Sequence, residues 1–208
     1  MSPKAKPGLG ERLRAVPATV KQYHEIAGVG EIARRYFVIN AFDGSLTSLG
    51  VIAGAYFGGV GSESTVISLI LATAVSIGVA GFYGSYLVER AERDRALREI
   101  EETTLSSLKD SALYSASRYA TIIVALVDGV SPLVASLIIM IPFVLVPPLT
   151  LHEAFYAGGA LAFLELFGLG VFLGRLGRER LWLAGLKLVT AGVVALAISL
   201  LLHGGKAG

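Results

Sequence analysis

Four ionisable side chains lie inside long apolar stretches of the chain: Asp43, Asp128, Glu165 and Lys187. An ionised group at mid-bilayer costs at least ~2.5–3.5 kcal/mol on insertion scales, so such residues face a pathway or one another. At 1.5 Å per helical residue, Asp43 lies about 12 Å beyond Arg35 and Lys187 about 10 Å beyond Arg180. Asp128 and Glu165 each lie about 15 Å from their flanking arginines, Arg118 and Arg175. All four therefore share one slab. The simplest structural pairing is Glu165 with Lys187 between adjacent helices, which leaves Asp43 and Asp128 with no cation inside the membrane. Two such carboxylates must take up protons, bind a cation or reach water. A site of charge −2 suits a divalent metal, and neighbouring acids that resist joint ionisation suit proton exchange. A metal/proton antiporter needs both properties. On this reading Asp43 and Asp128 bind metal, Glu165 relays protons, and Glu25 and Glu31 concentrate metal at the membrane entrance.

The two aspartates have similar surroundings, Asp43-Gly44-Ser45-Leu46-Thr47-Ser48 and Asp128-Gly129-Val130-Ser131-Pro132. Glycine after the acid permits close helix approach, and Pro132 removes a backbone donor, freeing a carbonyl to join the hydroxyls in an oxygen-rich shell. Asn40, one turn before Asp43, points the same way. The shared dipeptide is too short to define a repeat. Gly50, Gly54 and Gly58 form consecutive GxxxG steps, a ridge for close packing on a neighbouring helix or on a second copy. Gly170 and Gly174 form a shorter one.

The elements that must hold these residues follow from composition. Of 208 residues, 54% are hydrophobic and only 16% charged, with mean hydropathy +0.68; soluble domains carry roughly a quarter charged residues. Five windows are long enough to cross a ~30 Å hydrocarbon core: 36–58, 66–88, 119–146, 154–173 and 181–202. The expected fold class is an all-α integral membrane protein of five transmembrane helices. Sixteen of the 18 Lys and Arg fall before the first span, in 89–118 or in 174–180, and none in 59–65 or 147–153. Since basic loops stay cytoplasmic, the N-terminus is expected in the cytoplasm and the C-terminus outside. Residues 1–35 read as a cytoplasmic segment with a short interfacial helix and no cleavable signal, and 203–208 as a tail. The stretch 89–118 reads as a cytoplasmic helical loop, its first part extending the second span. There Glu89/Arg93, Arg90/Asp94, Asp94/Arg98, Arg95/Glu99 and Arg98/Glu102 are spaced to support a solvated helix.

Other function classes lack residues. With no cysteine there is no disulfide framework, zinc–thiolate site or thiol nucleophile. A net charge of +2 is too small for a nucleic-acid partner. His24, His152 and His203 form no metal-ligand spacing such as HExxH, and Glu153 beside His152 reads as an outer-boundary pair, so an enzyme is not expected. Frequent arginine and short loops suit a prokaryotic plasma membrane.

The run Asn40-Ala41-Phe42-Asp43-Gly44-Ser45-Leu46-Thr47-Ser48-Leu49-Gly50-Val51-Ile52-Ala53-Gly54 resembles the first-helix signature of the vacuolar iron transporter family, N-D-G-L followed by small and hydroxyl residues and G-V-x-x-G. Ser76-Ile77-Gly78 occupies the place of that family's S-M-G. Val88–Arg93 resembles its charged extension of the second helix, Ile141–Leu145 its proline-containing third-span end, and Lys187 its basic residue opening the last helix. The resemblance implies a five-helix homodimer in the lipid bilayer that exports Fe²⁺ or Mn²⁺ as a transported substrate in exchange for protons, with no tightly bound cofactor. It places Asp43 and Ser76 on the ion path and assigns metal capture to Glu92 and Glu99. Ile77 replaces the family's thioether ligand, which favours a harder ion such as Mn²⁺. Gly81 falls near a family glutamate, for which Asp128 is a replacement. The missing methionine and the short cytoplasmic segment motivate the alternative, a non-transporting scaffold or accessory subunit that keeps the fold.

Overall fold

The computed structural model describes Gln22, Tyr23 and residues 25–204. The expected N-terminal segment and tail therefore lie largely outside the described residues. Gln22, Tyr23, Glu25 and Ile26 are helical, and the chain turns at Ala27 and at Gly28, whose φ of 59° is a left-handed conformation that glycine adopts without strain. Five helices follow: α1 (Val29–Phe57), α2 (Glu63–Thr104), α3 (Ala112–Val144), α4 (Leu151–Gly177) and α5 (Leu181–Gly204). All five are long and apolar enough to cross a membrane. Among the described residues the only regular secondary structure is helical.

At 42 residues α2 is about 63 Å long, twice the hydrocarbon thickness, so its second half projects beyond any bilayer the bundle spans. That projection carries the i,i+4 pairs Glu89–Arg93 at 3.0 Å, Arg90–Asp94 at 3.8 Å and Arg95–Glu99 at 2.9 Å. Asp94 also reaches across to Arg118 of α3 at 3.1 Å, tying the projection to the next helix. The turn between them is organised by Glu101, which accepts the Leu108 N–H at 2.6 Å, and Ser111 caps α3 by accepting from Tyr114 N–H at 3.1 Å. Thr150 and Glu153 form a reciprocal capping box on α4. Glu153 is thus a cap rather than half of a pair with His152.

Successive helices run antiparallel. Tyr36 near the start of α1 meets Glu89 of α2, and the ring of Tyr56 near its end meets those of His152, Phe155 and Tyr156 of α4. Leu181 and Ala184 of α5 lie against Gly174 at the end of α4. One end of the bundle consequently collects the arginines and the other an aromatic cluster. Helix α3 is central, packed against α1, α2 and α4, and α5 rests on α4 and α1. The apolar core lies in the aromatic half, where Leu49, Ile52, Ile139, Phe143 and Leu166 are buried together.

Three contacts allow no side chain. A Cβ on Gly44 would fall 2.6 Å from the Cα and carbonyl oxygen of Pro132, and one on Gly78 would fall 2.6 Å from the carbonyl oxygen of Gly129. Gly170 meets the backbone of Ala184 and Gly185 in the same way. The glycine after each aspartate therefore sets a helix spacing, α1–α3 at Gly44 and α2–α3 at Gly129, and the Gly170/Gly174 ridge joins α4 to α5. The longer ridge is not used inside the chain: a Cβ on Gly50 or Gly54 would meet nothing within 4 Å.

Because backbone blocks the added methyls, Gly44→Val and Gly78→Val should each destabilise the protein by about 1–3 kcal/mol or more, whereas Gly84→Ala, where an added Cβ meets nothing within 4 Å, should be neutral or slightly stabilising. Thermal melting of the purified protein in detergent tests this. A wild-type melt for Gly44→Val would contradict the contact.

Candidate membrane-embedded ion site

Tyr36, Asn40 and Asp43 are spaced by four and three residues and share one face of α1. Asp128 of α3 faces them, and α2 closes the site with Gly81, Ser85 and Glu89. Asp128 is only 5% exposed. Its Oδ2 accepts a hydrogen bond from the Ser85 hydroxyl, and its Oδ1 is buried with no hydrogen-bond partner. The Asn40 amide donates to the Tyr36 carbonyl at 2.9 Å and also reaches the Asp128 carboxylate. Pro132 has no N–H to give to the carbonyl of Asp128, four residues earlier, so that oxygen lacks its usual helical donor. A Cβ at Gly81 would stand 3.4 Å from the Asp128 carboxyl carbon, so the acid fills space that a side chain at 81 would otherwise use.

Asp43 is exposed in the single chain, at the mouth of this site, and close enough for the charge of Asp128 to act on it. Toward the arginine end, Tyr36 donates its hydroxyl to Glu89 Oε1 at 3.3 Å, and Arg93 donates to Glu89 Oε2 at 3.0 Å. Glu89 is only 6% exposed. Its spacing to Arg93 predicts a solvated helix pair; the structure instead buries it as the inner end of a polar line through Ser85 to Asp128. The signal in the sequence is a stripe of small and polar residues on α2, Gly78, Gly81, Ser85 and Glu89, at helical spacing.

Glu165 does not join this site, and the expected Glu165–Lys187 pair does not form. Lys187 lies 2.6 Å from Glu179 in the turn before α5, both side chains being largely exposed. The reason is the rotation of α4. Its Gly170 and Gly174 face α5, and Glu165 lies about 140° around the helix from Gly170, pointing toward α1 and α3. There its Oε2 accepts from Ser45 Oγ at 2.9 Å and its Oε1 is buried without a partner. Ser76 is exposed on the outside of α2, away from the acids. Glu31, Glu92 and Glu99 are also exposed, Glu99 being paired with Arg95.

Asp43 and Asp128 with the oxygens of Asn40, Ser85 and the Asp128 carbonyl make an all-oxygen donor set, which suits hard cations. Among the described residues no three His, Asp or Glu converge closely enough to hold a metal ion in one chain. Nor does any Lys or Arg among them form an ion pair with Asp43, Asp128 or Glu165.

Fold and site define a protein with five helices long and apolar enough to span a membrane, in which the buried Asp128 and the half-buried Glu165 have no cationic partner among the described residues. No family model matches the chain. It is 33% identical over 172 residues to an uncharacterized protein of the archaeon Methanocaldococcus jannaschii, covering 81% of this chain and 87% of the relative, and it belongs to that protein's family.

Since Lys187 and Glu165 do not touch, Lys187→Met and Glu165→Gln should affect stability additively. A double-mutant cycle read by thermal melting should give a coupling energy below ~0.5 kcal/mol, and a clearly larger one would restore the pair.

Proposed function

We propose that this protein is a secondary transporter that moves a divalent metal, Fe²⁺ or Mn²⁺, out of the cytoplasm in exchange for protons. The observation that carries this reading is Asp128: a carboxylate 5% exposed, one oxygen without a partner, beside a second membrane-embedded acid and with no paired cation. Leaving such a group uncompensated is costly in a bilayer, and a transient cation removes the cost. The all-oxygen donor set favours Mn²⁺ over softer ions. The resemblance to vacuolar iron transporters implies a glutamate near Gly81, and the fit of Asp128 into the space there supports our reading of Asp128 as its replacement.

The arginine end is the cytoplasmic end by the distribution of basic residues, which puts the N-terminus inside, the C-terminus outside and Glu89 on the inner approach. The protein works as a homodimer in a prokaryotic plasma membrane. The described residues of one chain supply too few ligands, and the α1 face bearing Asp43, Gly50 and Gly54 is open, so a second copy packed on it brings two Asp43 side chains together. The same shortage of ligands is what favours the alternative of a non-transporting scaffold.

In proteoliposomes, metal uptake should require an imposed pH gradient, and Asp43→Asn or Asp128→Asn should reduce it by at least about tenfold, in line with an intramembrane acid acting as a ligand. Flux that Asp43→Asn leaves untouched would remove Asp43 from the pathway. Absence of both flux and saturable Mn²⁺ binding by folded wild-type protein would favour the scaffold.

A further inference from the structure

The transport reading above places the metal on Asp43 and Asp128, and the proton relay expected of Glu165 falls in a separate part of the bundle. Glu165 borders a cavity of about 200 Å³ between α1, α3 and α4, whose walls include Phe37, Ala41, Ser131, Val134 and Ile138. Apart from Glu165, no lining residue is titratable. The groups facing it from α1 and α3 are apolar or hydroxyl. From α5, which packs on α4, Lys187 is turned away onto Glu179. Neighbours one turn away on α4 itself, Leu161, Ala162, Gly168 and Leu169, carry no charge.

Two states could satisfy a carboxyl here. A bound metal needs about six oxygen ligands, and the cavity has only two hydroxyls, Ser45 and Ser131, the second already donated to the Val127 carbonyl. A proton needs one partner, and Ser45 is built to be that partner in either state. Its hydroxyl lies 2.9 Å from both the Ala41 carbonyl and Glu165 Oε2, yet it has a single hydrogen to donate. Toward a carboxylate Ser45 donates. Toward a carboxylic acid it accepts the acid proton and turns its own hydrogen back to Ala41.

The location separates this acid from the metal site. Asn40 and Asp43 face one side of α1, while Ala41 and Ser45 lie roughly 150° round it. Between them Gly44 is held against Pro132 of α3. We propose that Glu165, with Ser45 as its hydrogen-bond partner, is a proton-binding site distinct from the Asp43–Asp128 metal site, the two being coupled through the 43–45 turn of α1. This assignment rests on the transport reading for its coupling role, but protonation of Glu165 is measurable without it.

Wild-type protein in lipid nanodiscs is treated with a hydrophobic carbodiimide, which modifies protonated carboxyls in apolar surroundings, and the labelled peptides are mapped by mass spectrometry. Labelling of Glu165 should fall by about tenfold or more as the pH rises from about 5 to about 9, the range over which buried glutamates titrate. No labelling at any pH, or labelling that ignores pH, overturns the proton site. In proteoliposomes, Glu165→Gln should lower metal uptake driven by a pH gradient by at least about tenfold while equilibrium Mn²⁺ binding persists. Uptake that stays pH-driven in Glu165→Gln overturns the coupling role, and so does loss of Mn²⁺ binding in a variant that melts like wild type. If wild type moves no metal, the transport reading fails by itself and the carbodiimide profile still decides the proton site.

Discussion

The backbone of α1 touches the backbone of α3 at Gly44 and Pro132, with no side chain between them. Much of the membrane half of the molecule depends on that contact. It brings the Asn40–Asp43 face of α1 up to Asp128 on one side, and it leaves Ser45 facing Glu165 of α4 on the other. The matching contact of Gly78 with Gly129 draws α2 onto α3 and lowers Ser85 onto the Asp128 carboxylate. Interiors pack too densely to absorb even one methyl group at backbone contacts. The spacing of three helices, and with it the position of each acid, therefore hangs on glycines adjacent in sequence to the acids they position.

Asp128 and Glu165 are held by hydroxyls and an amide, not by cations. A neutral donor offsets part of the cost of a carboxylate in an apolar setting but does not cancel its charge. A lysine or arginine beside Asp128 or Glu165 would make a permanent pair, and breaking a buried pair costs several kcal/mol. Hydroxyl partners leave Asp128 and Glu165 without a fixed counter-ion. The unpartnered oxygens of Asp128 and Glu165 are the structural expression of that choice. Lys187, the cation whose depth made it the obvious neutraliser, instead turns back along its helix to meet Glu179 in the turn before α5.

The two glycine ridges show how little a motif says without its surroundings. Gly170/Gly174 is buried under Ala184 and Gly185, while Gly50/Gly54 is bare. Both are small-xxx-small patterns in apolar helices. What differs is only which side of its helix each lies on once α1 has turned its other faces to α3, α4 and α5. The bare ridge adjoins Asp43, so any second helix that covers it also covers that carboxylate.

By itself the sequence determined the five long apolar helices of the described residues, because hydropathy over some 20 residues is a local sum that any spanning helix must satisfy. It also determined that Asp43, Asp128 and Glu165 lie at similar depth, since depth follows from rise per residue along one helix. The glycines beside the aspartates were legible as close-approach points for the same local reason. Partnership was not legible. Whether Glu165 meets Lys187 or Ser45 depends on the rotation of α4 about its axis, which is set by packing of residues far apart in the chain. The burial of Glu89, whose spacing to Arg93 reads as an ordinary surface pair, depends on Tyr36 arriving from another helix. Depth is a property of one helix and could be counted; facing is a property of several, and only the packed bundle decided it.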